Sequence, residues 1–441
     1  MIQELKNYSK VINMAEMKDS GIEWIGKIPE DWKVLKNKYN FELSKEIIGT
    51  KWVETQLLSL TKCGIKAIND GEQTGKVPAS LSTYQKVNKD DIVMCLFDLD
   101  CSAVFSGISN WDGMISPAYK CIKCKSHLFP KYIDYYFRTV FVDRKYKRYS
   151  KNVRFSISAD EFMNLPIIVP PMNIQNKIAE FLNSKCCEID RLHSDIEKQI
   201  ETLEEYKKSI ITEAVTKGLN PDVEMKDSGI EWIGMIPKHW KIYRYKHLAN
   251  LVRGGSPRPA GNPIYYYGDI PFMKVADITK DDRMYVDSCE GSIKPAGLSN
   301  TRMVNKGTLL LTNSGATLGV PKILNIDTTI NDGIAAFLNL SNKLNIKFAY
   351  YSLKSKTKYF LQVAALGMGQ PNLNTDIIGN TYVTIPPKYE QQKIVDFLDV
   401  KCAEIDDIIA DKKKQLETLK QYKKSLIYEY VTGKKEVPDN E

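Results

Sequence analysis

IIVPPMNIQNKIAEFLNSKCCEID at 167–190 returns as VTIPPKYEQQKIVDFLDVKCAEID at 383–406, an offset of 216 residues. Downstream, KQIETLEEYKKSIITEAVTKG at 198–218 parallels KQLETLKQYKKSLIYEYVTGK at 414–434. Upstream, MKDSGIEWIG at 17–26 recurs unchanged at 225–234, and Ile28-Pro29, Trp32 and Lys33 return as Ile236-Pro237, Trp240 and Lys241, here at an offset of 208. A period near 210 is too long for a solenoid and marks a duplicated domain. The difference in offset falls between the matched blocks, in two segments that are only distantly alike, about 27–166 and 235–382. Within them Val87-Asn88-Lys89 echoes Val304-Asn305-Lys306, Asp112-Gly113 resembles Asp332-Gly333, and KYIDYYF at 131–137 aligns with KFAYYSL at 347–353.

Pro170-Pro171 and Pro386-Pro387 stand where proline belongs, at a helix start. Seven-residue spacing then gives Leu182, Ile189, Ile196, Leu203 and Ile210, and in the second copy Leu398, Ile405, Lys412, Leu419 and Leu426. The partner stripe reads Ile178, Leu192 and Tyr206, interrupted by Lys185 and Gln199, and Ile394, Ile408 and Tyr422, interrupted by Lys401 and Gln415. This is a coiled-coil seam over about five heptads. Gly218 with Pro221, and Gly433, terminate the helices. About 45 residues at ~1.5 Å each make a rod of roughly 65 Å.

The globular segments mix short β-type runs (DIVMCLF, TLLLT, TYVTIPP) with turns and a few helices, an α+β pattern without βαβ repetition. The expected fold is therefore two globular α/β segments joined by two long helices that form an antiparallel coiled coil, a pseudo-twofold internal repeat. Its parts are a connector at 1–26, a globular domain at 27–166, a helix at 167–218, the repeated connector at 219–234, a second domain at 235–382, a second helix at 383–433 and a tail at 434–441.

The 62 Lys+Arg against 54 Asp+Glu give a formal charge of +8, which suits an anionic partner such as nucleic acid. No run approaches the ~18 apolar residues that span a bilayer, and the N-terminus lacks the apolar core of a signal peptide. A cytoplasmic protein without a membrane partner is expected. The nine cysteines lack framework spacing and read as small buried hydrophobes. Cys121-Ile-Lys-Cys124 is a single CxxC in a strand-like stretch, whereas structural zinc favours paired knuckles, so no metal site is expected.

Catalytic motifs fail on their context. PDVEMK at 221–226 superficially evokes a Mg²⁺-dependent nuclease, but Glu-Met-Lys recurs at 16–18 without Pro-Asp, and both copies sit in connectors. A methyltransferase needs Asn/Asp-Pro-Pro-aromatic, whereas here Met172 and Lys388 follow the Pro-Pro pairs. GEQTGK at 71–76 is one residue short of a phosphate-binding loop. His127, His193, His239 and His247 fall in no HExxH or triad-like setting. Neither a catalytic nor a cofactor-binding site is expected in this chain.

The order of parts has a parallel. GIEWIGxIPxxW, a variable segment, (I/V)PPxxxQxKIxxFL and a helix ending in Tyr-Lys-Lys-Ser occur at Gly21–Trp32, Pro170–Leu182 and Tyr206–Ser209, then again at Gly229–Trp240, Pro386–Leu398 and Tyr422–Ser425. Over nearly its whole length the chain resembles the specificity subunit of Type I restriction-modification enzymes. CLFDLD at 95–100 with NWDGMISPAY at 110–119 looks like one class of that family's target-recognition domains; RGGSPRP at 253–259, SGATLG at 314–319 and GQPNLNTDII at 369–378 look like another. The resemblance implies a non-catalytic subunit that reads a bipartite, gapped site in double-stranded DNA, one half per domain, with the spacer set by the helices. It implies two methyltransferase subunits docked on those helices, bringing S-adenosylmethionine, and restriction (translocase/nuclease) subunits using ATP and Mg.

A duplex reader needs cations for phosphates and bidentate groups for base edges. The second segment offers Arg253, Arg258 and Lys274, with Asn313, Ser314 and Thr317 in a glycine-containing loop, then Gln370, Asn372 and Asn374. The first offers Lys62, Lys66 and Asp98, with Arg154, Ser156 and Ser158 at the positions matching Gln370, Asn372 and Asn374. YKRYSKNVR at 146–154 adds Lys147, Arg148, Lys151 and Asn152 as phosphate contacts. The alternative is a coiled-coil scaffold that binds only proteins.

Overall fold

The computed structural model describes residues 16–62, 64–69, 80–150, 155–315, 317–365 and 372–438. The chain forms two compact units, one built on Met1–Ile196 with Lys413–Glu441, the other on Glu197–Lys412. Each unit thus holds one globular segment and a stretch of both long helices.

The same frame recurs in each unit. A connector hairpin opens it: Met17–Asp19 pairs with Lys27–Pro29 in the first unit, Met225–Asp227 with Met235–Pro237 in the second. The repeated Asp-Ser-Gly makes the turn, because Asp19 and Asp227 accept from the amides of Gly21 and Gly229 at 2.9 Å, and both glycines take a left-handed φ, 67° and 68°. A two-stranded ribbon follows, Lys33–Lys36 with Pro166–Val169 and Lys241–Arg244 with Tyr382–Ile385. It gathers the entry and exit of each globular segment before the Pro-Pro step starts the helix.

The globular sheets share an order. In the first unit it runs Phe41–Leu43, Lys120–Cys124, Ile92–Met94, Ser106–Ile108. In the second it runs Asn250–Arg253, Ile334–Leu338, Leu309–Thr312, Pro321–Leu324, Tyr285–Val286. Strand registers correct one sequence match. Gly113–Ile115 pairs with Gln85–Val87 as Thr328–Ile330 pairs with Arg302–Val304, and Asp112 accepts from the Lys89 amide as Asp327 does from Lys306. Asp112 therefore corresponds to Asp327; Asp332-Gly333 is a separate turn at the other end of that strand. Cys121 and Cys124 lie on a sheet strand, and burial pushes both thiols up to about 12.

The long helices are Met172–Lys217 and Lys388–Val431. Gly218, at φ 80°, stops the first, and a Cβ there would lie 3.1 Å from the Trp240 ring. The Val215 and Val431 carbonyls near the helix ends accept from the Thr384 and Tyr132 hydroxyls at 2.6 and 3.0 Å.

The helices pack antiparallel within each unit: Lys423 holds Asp190 in the first, and Lys207 holds Asp406 in the second, at 2.6 and 2.7 Å. Leu182, Leu398, Ile189, Ile405 and Leu426 are buried, and Ile196, Leu203, Ile210 and Leu419 half-buried, so the first stripe faces the seam. Ile178 and Ile394 of the partner stripe are buried as read from the sequence, but farther along the helices the buried positions are displaced by one. The displaced stripe comprises Cys186, His193, Ile200, Lys207 and Ala214, matched by Cys402, Ile409, Leu416, Lys423 and Tyr430, while Tyr206, Tyr422 and Ile408 stand exposed. Both flanks of the first stripe satisfy heptad spacing, so spacing alone leaves open which one turns inward.

Gln175 and Gln391, fully buried, explain the glutamine of the PPxxxQ motif. Gln175 accepts from the Phe129 amide at 2.8 Å and donates to the carbonyls of His127 and Pro170. Gln391 does the same with Asn345, Lys343 and Pro386. One amide thereby clamps helix start to globular segment. Gln391→Leu leaves a buried N–H and two carbonyls short of a partner and is expected to lose about 3 kcal/mol, read as a lower urea midpoint with an unchanged slope.

Lys356, 3% exposed, donates to the Ser352 carbonyl and hydroxyl at 2.6 and 2.7 Å and lies 5.2 Å over the Trp232 ring. Among the described residues its hydrogen bonds go to Ser352 and not to a carboxylate, and burial lowers its pKa to about 7. An exposed lysine titrates near ~10.4, so between about pH 7 and 10 the unfolded chain carries a proton that the folded chain has shed. This residue's contribution to stability therefore rises with pH across that window. Wild type should gain stability relative to Lys356→Met by on the order of 1 kcal/mol per pH unit from pH 7 to 9, measured by denaturant titration at each pH.

Candidate nucleic-acid interface

In the second unit one end of the sheet gathers most of the expected residues. Arg253 pairs with Ala335 and Thr312 with Ile334, so strands Asn250–Arg253 and Leu309–Thr312 finish where Ile334–Leu338 begins. Residues 254–259, 313–315 and 331–333 leave from that end. The Asn331 amide bonds the Met273 carbonyl, which brings Lys274 to the same place. Gly254 lies so close to the 331 turn that a Cβ would sit 2.2 Å from the Asn331 carbonyl oxygen.

Asp332 organises the arginines. Its carbonyl accepts from Arg253 Nε at 2.6 Å, and its carboxylate takes the Ser256 hydroxyl at 2.6 Å and Arg258 Nη2 at 3.4 Å. Arg253 is exposed, and the Arg258 side chain is 70% exposed. Beneath them Tyr266, its phenol pushed up by burial, donates to the Pro257 carbonyl at 2.7 Å and fixes the RGGSPRP loop.

Ser314 forms a β-bridge with Asn372, and the Leu373 amide donates to the Asn313 carbonyl at 2.8 Å. Asn372, Thr317 and Lys274 are exposed. One expectation needs correction. Asn313 is fully buried, and neither its amide nitrogen nor its oxygen has a hydrogen-bond partner among the described residues, so it is not a surface contact. Asn374 is the N-cap of Thr375–Asn380, its oxygen engaged by the Ile377 amide at 2.7 Å.

The first unit builds the corresponding place differently. The Ile157 amide donates to the Leu96 carbonyl and the Leu99 amide to Phe155, so residues 155–157 run beside 96–99. Asp98 takes a left-handed φ of 50°, where the second unit has Gly315 at 84°. Lys147 lies 4.3 Å over the Phe155 ring, and the Ser156 carbonyl accepts from Ser150, so Asp98, Lys147 and Ser156 share one surface. Ser158, like Asn374, is an N-cap, closing a capping box with Glu161. Arg148 pairs with Glu23 of the connector at 2.6 Å, a structural partner that the sequence did not suggest. Lys62 and Lys66 are exposed on the hairpin formed by Leu58–Thr61 and Gly64–Ala67, whose apolar side packs with Val93 and Cys95. Lys151, Asn152, Arg154 and Gln370 lie outside the described residues.

Asp332 and Ser256 were missed in the sequence; Asp332 there is one more turn-forming Asp-Gly, and only the fold sets it beside two arginines. Among the described residues no group of three or more His, Cys, Asp or Glu is placed to hold a metal ion, and no helix is long and apolar enough to cross a membrane.

Comparisons with known proteins agree with this duplicated frame. A family model described as the Type I restriction modification DNA specificity domain matches residues 29–202 and again 237–418. The type I restriction enzyme MjaIX specificity subunit of Methanocaldococcus jannaschii is 31% identical over 205 residues, 45% of this chain and 45% of that protein. The MjaVIII specificity subunit of the same organism is 24% identical over 305 residues, 62% of this chain and 63% of that protein. The chain thus spans about half to two-thirds of the length of these curated relatives. A chain from a solved structure of the type I R-M system shares the fold with a TM-score of 0.71 at 14% identity, covering 92% of this chain and 98% of that one. With two matched regions that together make up most of its length, the protein belongs to the Type I restriction modification DNA specificity domain family.

Proposed function

We propose that this chain is the non-catalytic DNA-reading subunit of a Type I restriction-modification complex. Each globular segment reads one half of a gapped site in double-stranded DNA, and the long helices set the spacer between the halves. One observation supports this above the others. The loop that follows strand Ile92–Met94 in the first unit and Leu309–Thr312 in the second leaves an equivalent strand end, yet it carries Asp98 in one and Gly315 in the other, and the surface around it offers Lys147 in the first unit and the Arg253–Asp332–Arg258 cluster in the second. A shared frame with unlike polar groups fits two unlike half-sites.

Two methyltransferase subunits dock on the helices and supply S-adenosylmethionine, and restriction subunits bring ATP and Mg. The helix face left outside the seam supports the docking: Tyr206 and Ile408, 56% and 46% exposed, flank the Lys207–Asp406 pair in sequence. Ile408→Glu should reduce co-purification of the methyltransferase at least tenfold while free duplex binding persists.

Adenine-methylation mapping of a genome carrying this chain with its methyltransferase partner tests the main reading. A gapped, asymmetric motif is expected, and exchanging residues 27–166 for another such domain should change one half only. A gel shift with random duplexes that selects no sequence, with or without the partner, would leave the protein-only scaffold instead.

A further inference from the structure

We infer that Arg253 reads a guanine in the half-site of the second globular segment, with Asp332 as its positioning residue; this rests on the DNA-reading function proposed above. The geometry begins with the backbone. Arg253 ends a paired strand, and Gly254 is packed so closely on Asn331 that the chain has no room to shift at that point. The side chain is then held a second time, by the 2.6 Å bond from Nε to the Asp332 carbonyl. Anchored at both ends, the exposed arginine keeps only its two terminal nitrogens, which have no partner among the described residues. Two N–H groups side by side match the O6 and N7 acceptors of guanine in the major groove.

A phosphate would also accept this fork, but the local charge opposes it. The Asp332 carboxylate, 42% exposed, is held by Ser256 at 2.6 Å and faces Arg258 at 3.4 Å, on the same residue whose carbonyl fixes Arg253. It repels an anionic phosphate and tolerates a neutral base edge. Arg258 is less suited to the task, because it shares its own guanidinium with that carboxylate.

The test uses the full chain with its methyltransferase partner, in wild-type, Arg253→Lys and Arg253→Ala forms. Methylation mapping is combined with gel shifts across a salt series. Both variants should lose the requirement for one G·C pair in the half-site assigned to residues 235–382, with discrimination there falling on the order of 10- to 100-fold. Lysine keeps the charge but not the fork, so it should not rescue. The half read by 27–166 should stay intact in the same molecules, which also reports that the variants fold. A lysine variant that keeps the whole motif, or a change confined to the salt slope of binding, marks a phosphate contact and overturns the assignment. Wild type that selects no sequence at all overturns the DNA-reading function, and this assignment with it.

Discussion

A lysine in a helix seam has to find a carboxylate, and that requirement governs the frame. Lys207 is 7% exposed yet holds Asp406 and Asp282 at 2.7 and 3.2 Å, and Lys423 holds Asp190 in the other unit. A buried ion pair adds little over an apolar pair of the same volume, but leaving one charge unpaired costs several kcal/mol (roughly 3–5). An arrangement that took Lys207 away from both Asp406 and Asp282 would leave its charge unpaired in the seam. The pair therefore selects direction and register more than it adds stability, as polar residues at core positions of coiled coils do.

Around the seam, each joint uses backbone groups that helices leave unsatisfied or that turns expose. Gln175 and Gln391 tie helix starts to the globular segments, and Tyr132 and Thr384 cap carbonyls near helix ends. The glutamine clamp recurs because a bond to backbone groups does not depend on which side chains the globular segment carries, whereas the equivalent carbonyls of Val431 and Val215 are capped by unlike residues. The variable surface is thereby free to differ. At the strand ends, the first unit sets Asp98 and Lys147 near Phe155, whereas the second sets two arginines around Asp332. The frame is conserved between the repeats by hydrogen bonding, and the proposed reading groups vary on top of it.

Asn313 and Asn331 are the exceptions to full satisfaction near that surface, with buried amide atoms that lack partners among the described residues. Elsewhere the polar groups that sequence reasoning offered for DNA contact often serve the fold. Ser158 and Asn374 cap short helices, and Arg148 pairs with Glu23. Ser, Asn and Asp suit caps and turns for the same reason that they suit bases, a short side chain with a hydrogen-bonding tip. Composition cannot separate the two uses.

The duplication, the helix pair, the α+β class and the family's order of parts were legible in the sequence, because each depends on spacing along the chain: repeats at 208 and 216, heptads, Pro-Pro starts and glycine stops. What spacing leaves open is rotation and proximity. The heptad pattern left open whether Tyr206 or Lys207 turns inward, and the structure buries Lys207 and exposes Tyr206. Spacing likewise matched Asp112 to Asp332, where strand register pairs it with Asp327. Asp332 gained a role only when an adjacent strand end placed Arg253 and Arg258 beside it. Periodicity is a property of one segment; a side chain's neighbours belong to several, and those are settled by the tertiary structure.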